Sequence, residues 1–133
     1  MRQLYDATTH SIRVSVEPSY LEDQSAPEED YYVWSYKVII ENHRGNTVQV
    51  RNRHWRIVDA TGRTQEVHGE GVVGEQPVLG PGDRFEYTSG APLNTPSGIM
   101  GGTYEVTTDD GAFLDVTIPA FSLDSPYTNR TMN

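Results

Sequence analysis

The sequence has no cysteine and no long hydrophobic run. Without cysteine, the chain cannot form disulfide bonds, use a thiolate nucleophile or bind a metal through sulfur. No apolar stretch approaches the roughly 20 residues that a membrane-spanning helix needs, and the first residues lack the apolar segment of an export signal. We therefore expect a cytoplasmic protein that does not insert into a membrane.

Basic residues are also scarce, which limits the partners of the protein. The chain has 10 lysines and arginines against 19 acidic residues, for a net charge of −9, and Lys37 is its only lysine. Proteins that bind polyanions usually present an excess of positive charge. The composition therefore argues against nucleic acid and anionic membrane surfaces as partners.

The sequence also lacks the periodicity of amphipathic helices. It is instead rich in turn residues and aromatic residues, with 12 glycines, 8 prolines and 8 tyrosines. Short stretches alternate apolar and polar residues, which is typical of strands with one buried face. Turn residues separate these stretches at intervals of roughly 8–12 residues, so we predict an all-β antiparallel sandwich of about seven strands. The predicted strands span residues 12–16, 31–41, 47–58, 63–68, 83–88, 99–107 and 112–118.

The whole chain, residues 1–133, has the length of a single domain with one core. We predict a loose N-terminal arm over 1–9, a loop over 89–98, and a polar tail over 124–133. Pro119 is expected to end the last strand because it cannot donate a backbone hydrogen bond. The predicted core residues are Trp34, Tyr36, Val38, Ile40, Trp55, Ile57 and Tyr104.

The stretch from 47 to 68 predicts a hairpin with a defined register. The alternating apolar residues of this strand stand at even positions up to Val50 and at odd positions from Trp55 to Ile57. This change in the alternation indicates a β-bulge near Arg51–Arg53. If Asp59 pairs with Arg63 across the turn, apolar residues of one strand lie opposite apolar residues of the other, and charged residues lie opposite residues of the other sign. The resulting cross-strand pairs are Arg56 with Glu66, Trp55 with Val67, and His54 with His68.

Gly69, Gly71 and Gly74 have the G-x-G-x-x-G spacing of dinucleotide-binding loops, but no helix can follow them. Pro77 and the sequence Gly80-Pro81-Gly82 come next, and the helix N-terminus that holds a pyrophosphate in such loops is therefore missing. Two interpretations remain. The glycine amides could form an anion-binding nest with Arg51 and Arg53 nearby, or the glycines could serve tight turns and close packing, which we favour.

Arg51 and Arg53 belong to a group of four arginines, with Arg44 and Arg56, that lies within 13 positions. The group could bind a phosphate or a partner protein, or its members could pair with the surplus acids, as Arg56 could with Glu66. We favour the second interpretation.

Catalytic motifs are not apparent. Ser89 does not lie in a nucleophile elbow, and no serine, histidine and carboxylate combine into a recognisable catalytic set. The sequence therefore predicts a protein that is not an enzyme and needs no cofactor.

The four histidines have no short metal-ligand spacing, and the predicted register brings together only His54 and His68, with Glu70 as a further candidate ligand. Co²⁺ accepts imidazole ligands, whereas Mg²⁺ prefers oxygen. We expect no tight metal site, with this pair as the one weak candidate.

Several ordered segments are distributed over residues 8–125. They are Trp34-x-Tyr36, Ile40-Glu41-Asn42, Arg53-His54-Trp55-x-Ile57, Asp59-x-x-Gly62, Val67-x-Gly69-x-Gly71-Val72-Val73-Gly74-Glu75-Gln76-Pro77, Leu79-x-Pro81-Gly82, Tyr87-Thr88-Ser89-Gly90, Gly98-x-Met100-x-Gly102-x-Tyr104 and Ile118-Pro119-x-Phe121-x-Leu123. Together these segments resemble the ApaG family.

This resemblance implies a sandwich of the fibronectin type III or immunoglobulin-like class. It also implies an association with cobalt and magnesium efflux in bacteria, and related domains in eukaryotic F-box proteins suggest a protein partner. We therefore predict a non-enzymatic interaction module linked to cation homeostasis through a partner. The alternative is a small-anion binder for pyrophosphate or a nucleotide. The sequence leaves open whether copies of the chain form a homo-oligomer.

Overall fold

A computed structural model describes residues 3–128, which form nine strands in two antiparallel sheets, with no α-helix in this range. No helix among these residues is long and apolar enough to span a membrane. The strands are β1 (Tyr5–Thr9), β2 (Ile12–Tyr20), β3 (Tyr32–Asn42), β4 (Val48–Asp59), β5 (Thr64–Glu70), β6 (Val78–Leu79), β7 (Arg84–Leu93), β8 (Ser97–Thr108) and β9 (Phe113–Asp124). The acidic segment between β2 and β3 forms two short 3₁₀ turns, Glu22–Gln24 and Pro27–Glu29.

The first sheet has the strand order β1-β2-β3-β7, and the second has the order β5-β4-β8-β9, with β6 also paired to β4. Strands β1 and β2 pack against β9 of the opposite sheet. This leaves β5 and β7 as the edges on the other side of the sandwich. The predicted all-β sandwich is therefore confirmed, with nine strands instead of seven.

The core lies between the inner faces of the two sheets, where the predicted residues meet. Trp34, Tyr36, Val38, Ile40, Trp55 and Tyr104 are all buried, and Ile57 is half-buried. The aromatic rings pack edge to face, as Tyr36 and Trp55 do at 5.3 Å between ring centroids. The period-2 pattern predicted this face because successive strand residues point to opposite sides of a sheet.

The sequence did not reveal β1, and it predicted the stretch 69–81, which contains β6, as a loop or a short edge strand without a helix. Residues 5–9 were predicted to be a loose arm, but they pair with β2, and Tyr5 packs against Phe121 at 6.1 Å. Strand β6 contains only two residues, which pair with Val48 and Gln49. Strand β6 is too short to show an alternating pattern, and β1 has too few apolar residues to indicate a buried face.

The predicted ends of three strands were also wrong. Strand β2 continues past Val16 to Tyr20. Strand β7 continues through Ser89 to Leu93, where Pro92 is tolerated because β7 is an edge strand. Strand β9 continues through Pro119 to Asp124 because the register with β8 shifts at this point. A bulge does not require a ladder hydrogen bond from every residue, so a proline fits there.

The predicted polar tail is partly described. Residues 125–128 form a turn, in which the Ser125 hydroxyl donates to the Pro96 carbonyl at 2.7 Å. Residues 129–133 lie outside the described range, as do residues 1–2 of the predicted arm.

The predicted hairpin is confirmed in detail. The register between β4 and β8 shifts between Val50 and Asn52, which places a bulge at Arg51. Strands β4 and β5 have the predicted register, so Trp55 lies opposite Val67 and His54 opposite His68. The backbone amide of Asp59 donates to the Arg63 carbonyl at 3.0 Å.

The turn of this hairpin contains a carboxylate, that of Asp59, whose contribution to the stability of the fold should depend on pH. Asp59 Oδ1 accepts hydrogen bonds from the Thr61 hydroxyl at 2.7 Å and from the Thr61 and Arg63 amides. These bonds, led by that of the Thr61 side chain, hold the pKa of Asp59 below its ordinary value of 3.8. A carboxylate with a depressed pKa stabilises the fold above its unfolded pKa, and this contribution disappears as pH falls through the folded value.

We therefore expect Asp59→Ala to be less stable than the parent at neutral pH, and this difference to narrow below about pH 4. Urea unfolding of both proteins at a series of pH values measures this difference in stability. Asp59→Asn, which keeps the Oδ1 acceptor, serves as the control, and it should lose less stability than Asp59→Ala at neutral pH. A difference that stays constant into acid would contradict this role for the carboxylate.

Candidate functional site

The bulge in β4 determines which way Arg53 faces. Before the bulge, Val48 and Val50 are buried on the inner face of the sheet. After the extra residue Arg51, the inward positions are Arg53 and Trp55, and Arg53 lies opposite Tyr104 of β8. A cationic side chain therefore enters the space between the two sheets, where it is half-buried.

The guanidinium group of Arg53 packs directly on the glycine loop. Its Nη1 donates to the carbonyls of Glu70 and Gly71, at 2.9 and 3.0 Å. A Cβ atom on Gly69 would lie 2.7 Å from the guanidinium carbon. Gly69 thus leaves room for the arginine, which is a packing reason for the first glycine of the motif.

The other two glycines of the motif serve the turn. Gly71 and Gly74 have φ angles of 63° and 82°, in the left-handed region that glycine adopts without strain. Val72 and Glu75 exchange two backbone hydrogen bonds across this turn, at 2.7 and 2.9 Å. The Gly71 amide donates to the carbonyl of Arg51 at the bulge, at 2.7 Å.

These contacts limit what the loop offers to an anion. The amides of Gly71, Val72 and Glu75 already donate to backbone carbonyls. The motif spacing therefore has a structural explanation in turns and close packing, and Arg53 remains as the charged group beside the loop.

Three tyrosines, Tyr36, Tyr87 and Tyr104, lie close enough to Arg53 for its charge to act on their hydroxyls. Burial raises the pKa of Tyr87 and of Tyr104, whose hydroxyls hydrogen-bond to each other, and burial also raises the pKa of Tyr36. The Arg53 charge opposes each of these shifts. The three phenols therefore stay neutral at physiological pH and act as hydrogen-bonding groups, not as bases.

A cleft opens between edge strands β5 and β7, and we call it the edge cleft. It has a volume of about 270 Å³. Gln65 and Val67 of β5 form one wall, and residues 89–92 of β7 form the other. Its floor consists of Tyr36, Arg53, Trp55, Ile57 and Met100.

The other arginines of the predicted group point elsewhere. Arg51 Nε donates to the Thr107 hydroxyl at 3.1 Å, on the side of β4 away from the edge cleft. Arg44 bonds to Asn46 and to the His10 carbonyl. Arg56 lies opposite Glu66, as predicted, but the Glu66 carboxylate hydrogen-bonds to His54. The structure therefore brings the side chain of Arg53 to Gly69 and Gly71 of the loop, whereas Arg51 contacts the loop only through its backbone carbonyl.

The predicted histidine pair is formed on the outer face of the second sheet. The rings of His54 and His68 stack in parallel at 4.1 Å between centroids. The carboxylate that joins them is that of Glu66, at 2.7 Å from His54 Nε2, and not that of Glu70. The register predicted the pair, but the diagonal contact to Glu66 depends on side-chain rotamers that the sequence does not specify.

Fold and site together define a two-sheet β-sandwich with an arginine-bearing cleft at its open edge. A family model described as the ApaG domain matches residues 22–108. The proteins named ApaG from Parvibaculum lavamentivorans and Paramagnetospirillum magneticum are 59% and 58% identical over 130 residues, which cover 98% of this chain and 100% of each relative. The crystal structure of a protein designated ApaA from Bordetella pertussis has 47% identity and a TM-score of 0.85, covering 90% of this chain and 97% of that one. The chain belongs to the ApaG family.

Proposed function

We propose that the protein is a non-enzymatic, cytoplasmic binding module that holds an extended segment of a partner protein in the edge cleft. The observation that carries this proposal is the position of Arg53. Its guanidinium lies at the floor of a cleft whose walls combine apolar residues with the polar Gln65 and Ser89, and no carboxylate among residues 3–128 forms an ion pair with it. Mostly apolar clefts with a few convergent polar groups are typical binding sites.

The strands that border the edge cleft suit an extended partner. Strands β5 and β7 each end a sheet, so each has backbone groups on its outer side that pair with no other strand of the described chain. An extended peptide can add to such an edge through its own backbone hydrogen bonds, while pockets beside the edge select its side chains.

The chemistry of the edge cleft favours one kind of peptide. Trp55, Ile57 and Val67 offer apolar contact, so a branched aliphatic side chain would fit over them. Arg53 offers a positive charge, so a carboxylate next to that aliphatic residue would be bound well. We therefore propose a partner segment that combines a leucine or valine with a neighbouring acidic residue.

Binding of synthetic peptides tests this proposal. Peptides with a central Leu-Asp or Val-Glu pair should bind with a dissociation constant on the order of 10–100 μM and perturb NMR signals of β5 and β7. A bulky charge at Val67, in Val67→Arg, should weaken binding at least about tenfold because it fills the edge cleft.

Val78→Arg is the matched control, because Val78 is 61% exposed on β6 and does not line the edge cleft. Peptide affinity should be unchanged in this variant. If peptides with lysine in place of the acid bind equally well, or if Val67→Arg has no effect, the proposal fails.

Arg53 also supports a second candidate function, the binding of a small anion such as pyrophosphate or a nucleotide. In that case the anion lies between Arg53 and the outer surface of the loop Gly69–Gly74. The guanidinium would supply the charge, since the amides of Gly71, Val72 and Glu75 are already bonded.

Calorimetry with pyrophosphate distinguishes the two candidates. If this function is correct, Arg53→Ala should weaken binding by about tenfold or more, since a hydrogen-bonded charge contributes about 1.5–3 kcal/mol. Arg51→Ala is the control and should have no effect, because Arg51 points to Thr107. If pyrophosphate gives no heat of binding with the parent protein, the anion site is rejected and the peptide hypothesis remains.

The link to cobalt and magnesium homeostasis rests on the family resemblance alone. We propose that it operates through the partner protein that the edge cleft binds. This accounts for a role in ion efflux by a chain that has no helix able to span a membrane in its described part.

A further inference from the structure

The outer face of the second sheet carries a cluster of potential metal ligands that is separate from the edge cleft. His54 on β4 and His68 on β5 lie directly opposite each other. Glu66 precedes His68 by two residues, so its side chain is on the same face of β5. One ligand atom from each of the three side chains lies within 4.8 Å of the other two.

We propose that His54, Glu66 and His68 bind a divalent transition-metal ion through two imidazole nitrogens and one carboxylate oxygen. Two imidazoles and a carboxylate form a donor set that suits Zn²⁺, Co²⁺ and Ni²⁺. Mg²⁺ prefers an octahedron of oxygen ligands and keeps much of its water. The site should therefore discriminate strongly against Mg²⁺.

Metal binding requires the imidazole rings to rotate, because the ion must lie close to the plane of each ring and the rings of His54 and His68 are now stacked in parallel. Ligands bonded at about 2.1 Å in a tetrahedral arrangement lie about 3.4 Å apart, so atoms separated by up to 4.8 Å must approach by on the order of 1 Å. The side chains of His54 and Glu66 are 35% and 54% exposed, which gives them room to rotate. The backbone need not move, because the hairpin already fixes the register of the three residues.

Neighbouring carboxylates provide a second, independent observation. A shallow depression beside the histidines is lined by three acidic residues, Glu70, Glu105 and Asp115, and by one cationic residue, Arg53. Glu105 and Asp115 lie directly opposite each other on β8 and β9, and like charges in such positions repel each other. A nearby cation relieves this repulsion, and the field of these carboxylates raises the local cation concentration.

The same surface sets an upper limit on affinity. Arg56 lies opposite Glu66 in the register and places a positive charge close to the site. Three protein ligands, of which Glu66 and His68 are exposed and His54 is half-buried, leave the ion partly hydrated. We therefore expect a dissociation constant on the order of micromolar, well above that of a closed structural site with four protein ligands.

Cobalt titration of the purified protein tests the proposal. The absorbance of Co²⁺ in the visible region reports imidazole coordination, and we expect one ion per chain. Zn²⁺ should displace the bound Co²⁺, whereas Mg²⁺ in about hundredfold excess should not. Failure to see any spectral change at millimolar Co²⁺ would overturn the proposal.

Three variants assign the site. His68→Ala and Glu66→Gln should each weaken Co²⁺ binding by about tenfold or more, since each removes a ligand. His43→Ala is the matched control, because His43 Nε2 also lies near a glutamate, Glu41, at 3.2 Å, but directly after the end of β3 in the first sheet. Circular dichroism verifies that each variant is folded. Binding that is equally strong in His68→Ala and in the parent would show that the cluster is only a hydrogen-bonded surface ladder.

Discussion

Adding a single methyl group at Gly102, in Gly102→Ala, is expected to destabilise the protein by about 3 kcal/mol. A Cβ atom at this position would lie 1.9 Å from the carbonyl oxygen of His54 and 3.1 Å from the Cα of Trp55. Both contacts are with backbone atoms, so no side-chain rotation can relieve them. The central strands β4 and β8 would have to separate, at the point where Trp55 covers the core.

Urea unfolding of Gly102→Ala and of Gly45→Ala measures this effect against a control. A Cβ atom on Gly45 has no other atom within 4 Å, so this substitution should change the free energy of unfolding by no more than about 0.5 kcal/mol. Similar stabilities for the two variants would contradict the close approach of β8 to β4.

Trp34→Ala is expected to destabilise the protein by about 3–5 kcal/mol. The Trp34 side chain is only 1% exposed, and its ring packs edge to face with that of Tyr20 at 5.5 Å. Its Nε1 donates to the Asp124 carbonyl at 2.8 Å, which joins β3 of one sheet to the end of β9 in the other. The substitution removes a large core volume and this connection together.

Two further variants separate these contributions. Trp34→Phe keeps most of the ring but loses the indole donor. We expect it to lower the free energy of unfolding by about 1–3 kcal/mol, because the Asp124 carbonyl is then left without its hydrogen bond. Phe113→Ala removes an aromatic ring that is 68% exposed, and we expect a change within about 0.5 kcal/mol. If Trp34→Ala resembles Phe113→Ala in stability, the two sheets do not pack as described.

The core strands were predictable because their residues alternate strictly. On β3, for example, Trp34, Tyr36, Val38 and Ile40 point inward, and only one register of the strand buries them all. The same principle predicted the hairpin of β4 and β5, where a slip by one residue would expose Trp55 and bury charged neighbours.

Some parts of the fold carry no such local signal. Strand β1 exists because β2 offers it an edge and Phe121 offers Tyr5 an apolar contact, and both come from elsewhere in the chain. Likewise, Pro119 does not end β9, because the bulge opposite Gly101 needs no amide hydrogen at that position.

The candidate site shows the same division between sequence and structure. The glycine spacing alone suggested an anion loop, but the structure shows that Gly69 makes room for the Arg53 guanidinium and that Gly71 and Gly74 serve a turn. The sequence also treated Arg51 and Arg53 alike, although the bulge sends them to different sides of β4.

By itself, the sequence determined the sandwich, the inner faces of its central strands, the pairing of His54 with His68 and the resemblance to the ApaG family. These follow from periodicity, turn chemistry and ordered motifs, which are local properties of a chain. Only the tertiary structure decided that Arg53 joins Tyr36 in the edge cleft and that Glu66 completes the histidine cluster. Such contacts join residues on different strands through particular rotamers, and many rotamers are compatible with one pattern of buried and exposed positions.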